Sequence, residues 1–430
     1  MRVILPVGIA ACVICFLIAC NGGGGSSSGT PTTPDVPPTP PPDAPAGVQV
    51  VAGDGSDSVV QNTISWVRVP DASDYVVYWS NSPGVSEADS SLPPVAAGSS
   101  YAIHSGADVV QGNSYYYRIA ARADSGDSTL SSEASGIPQS SATSNNLNDV
   151  AWNGFDRLVA VGDAGTILST PNATHDGWVD VSSVDAPQAL AAVTWEDVNN
   201  QFLVVGAGST VLRGDGVNWT RADLANLPGA INLNDVTWIG DRYLAVGNSG
   251  TVIHSNSDGS AWSAQRVVDP TTSLNAVATN GDVFVVVGIN GTILTSEFGE
   301  NWVELPKPVN NDLNDITWDG QRFTVVGSND TVLTSSDGVT WTEHVPGTSD
   351  INFVGVTQWD AGLPENPIVV TVGSSGTYVA TPSADPGTII PTGTNAQLGA
   401  VTWVDDGVSA PYFVIVGHAG TVLTNRYNLH

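Results

Sequence analysis

Beyond residue 44 the chain is a succession of short runs in which apolar and polar positions alternate, broken by Gly, Ser, Asn, Asp or Pro. "RYLAVG" at 242–247 and "TVIHS" at 251–255 follow a period of two, which predicts two strands. The Gly-rich bridge between them is expected to supply the positive φ of a tight hairpin. "LNDVTW" at 233–238 predicts another strand of the same unit, and a fourth begins near Trp262. Strong helix formers are scarce, with one Met and one Lys in the whole chain, so no substantial helix is expected after residue 20.

The four-strand unit repeats. Segments equivalent to "LNDVTW" begin at 147, 190, 233, 274, 313, 353 and 398, at spacings of 43, 43, 41, 39, 40 and 45 residues. A second landmark, Val-Gly, three residues, then Thr, recurs at 161, 205, 246, 287, 326, 372 and 416 without a spacing error. Four short strands in about forty residues make one propeller blade. A lone blade cannot bury both apolar faces, whereas seven stacked around an axis can. The last two repeats depart from the pattern. The sixth has "SADPGTIIP" where Asp-Gly and Trp are expected, and the seventh shows three strands, "LGAVTW", "YFVIVG" and "TVLTN". An open edge is a liability, so 139–146, "QSSATSNN", is expected to supply the missing outer strand.

Residues 44–138 carry the runs "NTISWVRV", "YVVYWS", "YAIHS" and "YYYRIAARA". Trp66 in "ISW", Tyr75 in "DYVVYW" and Tyr115 in "GNSYYYRIAARADSGDSTLSS" resemble a fibronectin type III module. The resemblance implies a β-sandwich with Trp66 in the core and Tyr115 as a corner tyrosine bonded back to the backbone. Such modules serve mostly as spacers or as protein and glycan contacts. The expected fold is therefore all-β: a fibronectin type III-like sandwich over 44–138, then a seven-bladed β-propeller over 139–430. Within the propeller, "SNSDGSAW", "SSDGVTW" and "RGDGVNW" resemble the Asp-box of bacterial-neuraminidase-type (BNR) repeats, one residue shorter between Asp and Gly. From 147 onward the repeat resembles more closely the photosystem II stability/assembly factor family, although nothing else in the chain suggests photosynthesis.

At the start, Arg2 precedes an apolar run from Val3 to Ala19. "LIAC" at 17–20 resembles a bacterial lipobox, which implies a signal peptide over 1–19, cleavage before Cys20 and acylation of Cys20. The alternatives are a transmembrane anchor or an unlipidated signal peptide. Residues 20–43 form a linker, Gly/Ser-rich and then Pro-rich, suited to holding a folded part away from a bilayer. Asn21 after the acylated cysteine implies the outer membrane of the cell envelope. Cys12, Cys15 and Cys20 are the three cysteines, so the processed chain has no pair for a disulfide. With 42 acidic and 12 basic residues the net charge is −30. That excludes binding nucleic acid through general electrostatics.

The enzymatic alternative is a sialidase- or glycosidase-like hydrolase, which would need clustered arginines at the channel mouth. Arg157, Arg242 and Arg322 recur five residues before the Val-Gly glycine. They begin second strands, opposite the inner-strand starts, and are expected to be structural, stacking over neighbouring Trp rings. The six His occupy unrelated repeat positions without metal-ligand spacing and are expected at the surface. No nucleophile elbow, zinc-protease motif, phosphate loop or dinucleotide fingerprint is present, and no cofactor is implied. "RGD" at 213–215 falls where other repeats place a Ser-Asp-Gly turn. There remain three inner-strand pairs, Asn148–Asp149, Asn234–Asp235 and Asn314–Asp315. These either cap turns within their own blades or form an acidic funnel for a cation or a basic peptide. The function expected is that of an acyl-anchored, non-enzymatic binding or assembly protein with a protein or polysaccharide partner.

Overall fold

A computed structural model describes residues 40–426, apart from 53–59, 98, 100, 111–112, 137–142, 171–177, 184–185, 225–226, 228–229, 345–350, 360–367, 382–387, 392–395 and 406–411. The leader, Cys20 and most of the linker thus lie outside the described residues. Among those residues no helix is long and apolar enough to cross a membrane. The helical pieces among them are single 3₁₀ turns, Asp163–Gly165, Ile289–Gly291, Ser374–Gly376 and His418–Gly420.

Six four-stranded antiparallel sheets follow one another. Their innermost strands are Leu147–Trp152, Leu190–Glu196, Leu233–Trp238, Leu274–Thr279, Leu313–Trp318 and Phe353–Trp359, and each sheet runs outward in chain order. Three further strands, Leu398–Val404, Tyr412–Gly417 and Val422–Arg426, continue the series. Each innermost strand packs against the one before and the one after, and Leu398–Val404 packs against Leu147–Trp152. The result is an all-β, propeller-like arrangement.

Sheets covered on both sides explain the continuous apolar second strands. Leu158–Gly162, Tyr243–Gly247, Phe284–Gly288 and Phe323–Gly327 are buried along their whole length. The apolar clusters lie between sheets. Leu203 and Val205 of one sheet meet Val236 and Tyr243 of the next, and Leu147 and Leu158 meet Val404 and Tyr412 across the junction of first and last. Full burial of such a side chain contributes about 1.5–3 kcal/mol, so the ring is held by contacts no single sheet could make. Near the end of four innermost strands a Trp packs on an aromatic residue at the start of the second strand: Trp195 on Phe202, Trp238 on Tyr243, Trp318 on Phe323 and Trp403 on Phe413.

The bridge supplies the positive φ expected of it, as at Ser249 and Gly250, but not at the Val-Gly glycine. Gly162 is extended at φ −165°, and a Cβ there would collide with the Asn146 carbonyl. Glycine is needed for that close approach. The left-handed residues come next, Ala164 at φ 54° and Gly165 at φ 75°, and they turn the chain into the third strand.

Closure of the last sheet also differs from expectation. Residues 143–146 form no strand, and 139–142 lie outside the described residues. The strand beside Val422–Arg426 is Gln49–Ala52, through the antiparallel pair Ala52 and Thr424. Gln49–Ala52 also pairs with Gln61–Ser65, which pairs with Tyr101–Ser105, giving one six-stranded sheet. Asn146 still helps to close the ring, because its side-chain oxygen accepts the Ala419 N–H at 3.0 Å.

A second sheet, built on Asp74–Ser80 and Tyr115–Ala123, faces the 49–105 strands across a core that includes Ile64, Trp66, Tyr75 and Tyr117. Trp66 is buried as expected, and the Tyr115 hydroxyl donates to the Asp108 carbonyl and accepts the Val110 N–H, both at 2.8 Å. His104, expected at the surface, is buried in this core under Trp79, with Nδ1 2.9 Å from the Tyr117 hydroxyl. Burial lowers its pKa to about 4, which keeps the ring neutral.

Candidate functional site

Each innermost strand opens with a β-bulge. Leu147 pairs with Gly162 and Asp149 with Val161, so Asn148 is the extra residue, and the same shift follows Leu190, Leu233, Leu274, Leu313, Phe353 and Leu398. A bulge re-aims side chains, and here it points them at the neighbouring sheet. The amide of Asn148 donates to the Leu190 carbonyl at 2.8 Å, that of Asn234 to Leu274 at 2.8 Å, and that of Asn314 to Phe353 at 2.6 Å. Asn275 does the same to Leu313 at 2.8 Å, although no aspartate follows it.

The aspartates complete the staple. Asp149 accepts the N–H of Val150 at 2.8 Å and of Val193, on the next sheet, at 2.7 Å. Asp235 accepts from Val236 at 2.7 Å and Val277 at 2.8 Å, and Asp315 from Ile316 at 2.8 Å and Val356 at 2.7 Å. The receiving strands carry Ala192, Ala276 and Gly355 at the matching position, so each carboxylate meets a strand that has none there. The expected caps within each blade are present, each aspartate on the N–H that follows it, Asn148 on Asp163 at 3.2 Å and Asn234 on Asn248 at 3.1 Å, but both side chains of each pair also bind across to the following sheet.

The structure brings the three carboxylates together on one cavity of about 390 Å³ on the ring axis, which Thr194, Thr237 and Thr317 also line. Part of each aspartate is accessible from this channel, yet protein surrounds the carboxylates on all sides. Burial pushes Asp149 up to about 7 and Asp315 up to about 6, against the pull of their backbone amides. Asp235 is raised well above the ordinary range by burial and then by Asp315. Among the described residues no group of three or more His, Cys, Asp or Glu is arranged to hold a metal ion.

The recurrent arginines lie apart, on three sheets, at what we call the lower end, where the first and third turns of every sheet project. Arg157 donates to the Ser169 hydroxyl at 3.0 Å and lies against Gly216 of the next sheet. Arg242 donates to the Phe298 carbonyl of the next sheet at 3.3 Å and pairs with Glu300 at 3.8 Å. Arg322 pairs with Asp319 at 3.4 Å. These partners are hydroxyl, carbonyl and carboxylate groups in place of the expected Trp faces. His254 is half-buried beside Gly299, and burial together with Arg242 lowers its pKa. The "RGD" residues are likewise committed to structure: Arg213 pairs with Asp258 at 3.1 Å, and Asp215 accepts the N–H groups of Val217 and Asn218.

Sequence reasoning missed a feature of this lower end. Asp215, Asp258 and Asp337 each occupy the third turn and accept hydrogen bonds inside it. Two backbone amides hold Asp337 down to about 2. In the fourth sheet the residue at that position is Phe298, 70% exposed. The signal was present in "SEFGENW" set against "SSDGVTW". Phe155, Val198, Val217 and Val339, also exposed, sit in turns of the same end.

No protein-family model matches the chain, and no curated protein matches it in sequence. Solved structures do. The structure described as YCF48 bound to D1 peptide has a TM-score of 0.52 at 16% identity, over 66% of this chain and 93% of that one. The WD40 β-propeller domain of Doa1 has a TM-score of 0.52 at 11% identity, over 66% of this chain and 94% of that one. At such identities the likeness is one of fold, and the fold is that of the β-propellers.

Proposed function

We propose that the chain is an exported binding or assembly protein, held to the outer membrane through an acylated Cys20 and acting through the lower end of a seven-bladed propeller. On this reading residues 1–19 are the signal peptide, 20–43 the spacer, 44–138 a fibronectin type III-like module, and 139–430 a propeller with BNR-like repeats of the photosystem II assembly factor type. The observation that carries it is the one-sided placement of Phe155, Val198, Val217, Phe298 and Val339 at the lower end. Exposed apolar side chains gathered on one face mark an interaction surface. The likeness to a propeller whose description names a bound peptide supports a protein partner over a polysaccharide. Each channel carboxylate is engaged by backbone amides, and the arginines stand apart, so neither set favours a glycosidase.

A photo-crosslinking residue placed at 155, 217 or 298 in the membrane-bound protein should give discrete adducts, and one at the upper-end Ser249 should not. Adducts from Ser249 alone would place the working face at the other end. Hydrolysis of a sialoside or glycoside, lost on substituting Arg157, Arg242 or Arg322, would favour the hydrolase instead. For the anchor, Cys20→Ser should abolish incorporation of radiolabelled palmitate.

A further inference from the structure

Between the third, fourth and fifth sheets the lower end opens into a groove of about 1150 Å³. Val283 and Phe284 line it beside the exposed Phe298, Val303 and Val339. It exceeds the usual volume of a small-molecule site and is open enough for several residues of an extended chain.

Its rim is acidic. Asp241, Asp282, Glu297 and Asp337 line it, and Asp282 and Glu297 have no ion-pair partner among the described residues. The one cation on the lining, Arg242, lies 3.8 Å from Glu300 and 4.0 Å from Asp241. Arg242 also donates to the Phe298 carbonyl, which fixes the turn that presents the phenyl ring.

Phe298 makes the groove specific. The equivalent residues Asp215 and Asp337 each satisfy two backbone N–H groups of their own turn. Phe298 forgoes that acceptor and places an aromatic ring in solvent, 70% exposed. A few aromatic and Arg anchors carry much of the binding energy at protein interfaces once a partner covers them.

We propose that this groove docks an extended segment of a partner protein in which a Lys or Arg lies beside an apolar side chain, the apolar group against Phe298 and Val303 and the cation against Asp282 and Glu297. The inference rests on the protein-interaction reading above and adds to it the place and the chemistry of the partner.

A random-sequence peptide library selected on the full chain tests it. Enriched peptides should pair Lys or Arg with an apolar residue and lose about tenfold or more in affinity for Phe298→Asp and for Asp282→Lys. Affinity for Asp124→Lys, the same charge change on the distant sandwich, should match wild type. Phe298→Asp restores the residue type of the other turns and should leave the melting temperature at or above wild type, so lost binding there is not lost folding. Enriched peptides that bind Phe298→Asp as tightly as wild type would overturn the groove while leaving a peptide-binding protein. Enrichment of acidic or wholly apolar peptides would overturn the partner chemistry. A selection that enriches nothing would count against the groove and the interaction reading together.

Discussion

Asp149, Asp235 and Asp315 in the channel and Asp241, Asp282 and Glu297 around the lower groove are one chemistry in two settings. In the channel each carboxylate accepts one backbone N–H from its own strand and one from the next sheet. Those oxygens are committed to joining sheets, and burial raises the pKa of all three. At the groove, Asp241 and Asp282 are exposed at the tips of first turns and Glu297 at the start of a third turn, beside an exposed aromatic ring. The contrast separates carboxylates consumed by folding from carboxylates available to a partner, which an overall charge of −30 cannot do.

The contrast breaks most easily at Asp235. Asp235→Ala removes the acceptor from the N–H groups of Val236 and Val277. Leaving a buried donor unsatisfied costs about 1–3 kcal/mol. Two such losses, offset by relief of an unfavourably buried charge, give an expected destabilisation of about 2–3 kcal/mol. Asp282→Ala, at an exposed turn, should change stability by less than about 0.5 kcal/mol. Urea denaturation of the two variants measures both. Similar losses would show that the groove carboxylate is also structural.

A second, collective effect comes from pH. The channel carboxylates have folded-state pKa values above the unfolded carboxylate range, so between about pH 4 and 7 the folded chain binds more protons than the unfolded one. Stability therefore falls as pH rises through that window, and the contribution of Asp149 and Asp315 is flat above it. From pH 8 to pH 5 the gain is at most about 4 kcal/mol from Asp149 and Asp315, at about 1.4 kcal/mol for each unit by which a folded pKa exceeds 5. General relief of acid repulsion acts in the same direction. The channel share is thus the difference between wild type and a chain carrying Asp149→Asn, Asp235→Asn and Asp315→Asn. Identical pH profiles for the two chains would mean that the channel carboxylates titrate as ordinary surface acids.

Smaller again is the amide half of the staple, which the fourth sheet isolates because Asn275 is followed by Ala276. Asn275→Ala should cost about 1 kcal/mol through the lost bond to the Leu313 carbonyl. A cost as large as that of Asp235→Ala would assign the staple to asparagine and leave the carboxylates little part in it.

These bonds mark where the sequence stops being informative. The strands and their sheet-by-sheet repetition follow from local alternation and from Val-Gly and Trp recurring at fixed steps, and the structure reproduces them. The Asn-Asp pairs were recognisable as special and their caps within the sheet were expected, but their partners on the next sheet were not. A bulge sends both side chains to a strand about forty residues away, and local capping is all that a six-residue window contains. Closure of the last sheet failed for the same reason. The nearest segment in sequence was 139–146, while the strand that pairs with Thr424 is at Ala52, a contact only the assembled chain can make. Phe298 is different. Aligning the repeats position by position sets it against Asp215, Asp258 and Asp337, so its oddity is a property of the sequence alone.

The finest test of the contrast is Phe298→Asp, where the expected stability change is smallest. Asp337 accepts the N–H groups of Val339 and Thr340 at 2.8 and 2.7 Å, and Asp215 those of Val217 and Asn218 at 2.8 and 2.7 Å. An aspartate at 298 would offer the same acceptor to the N–H groups of Glu300 and Asn301. Against this gain stands repulsion from Glu297 and Glu300, screened at an exposed turn. The ring it replaces is mostly in solvent, so little packing is lost. The balance is expected between zero and about 1 kcal/mol of stabilisation, read as an unchanged or slightly raised urea midpoint. A destabilisation beyond about 1 kcal/mol would mean that Phe298 packs in the folded protein. The groove would then be part of the fold, and the distinction between its acids and those of the channel would disappear.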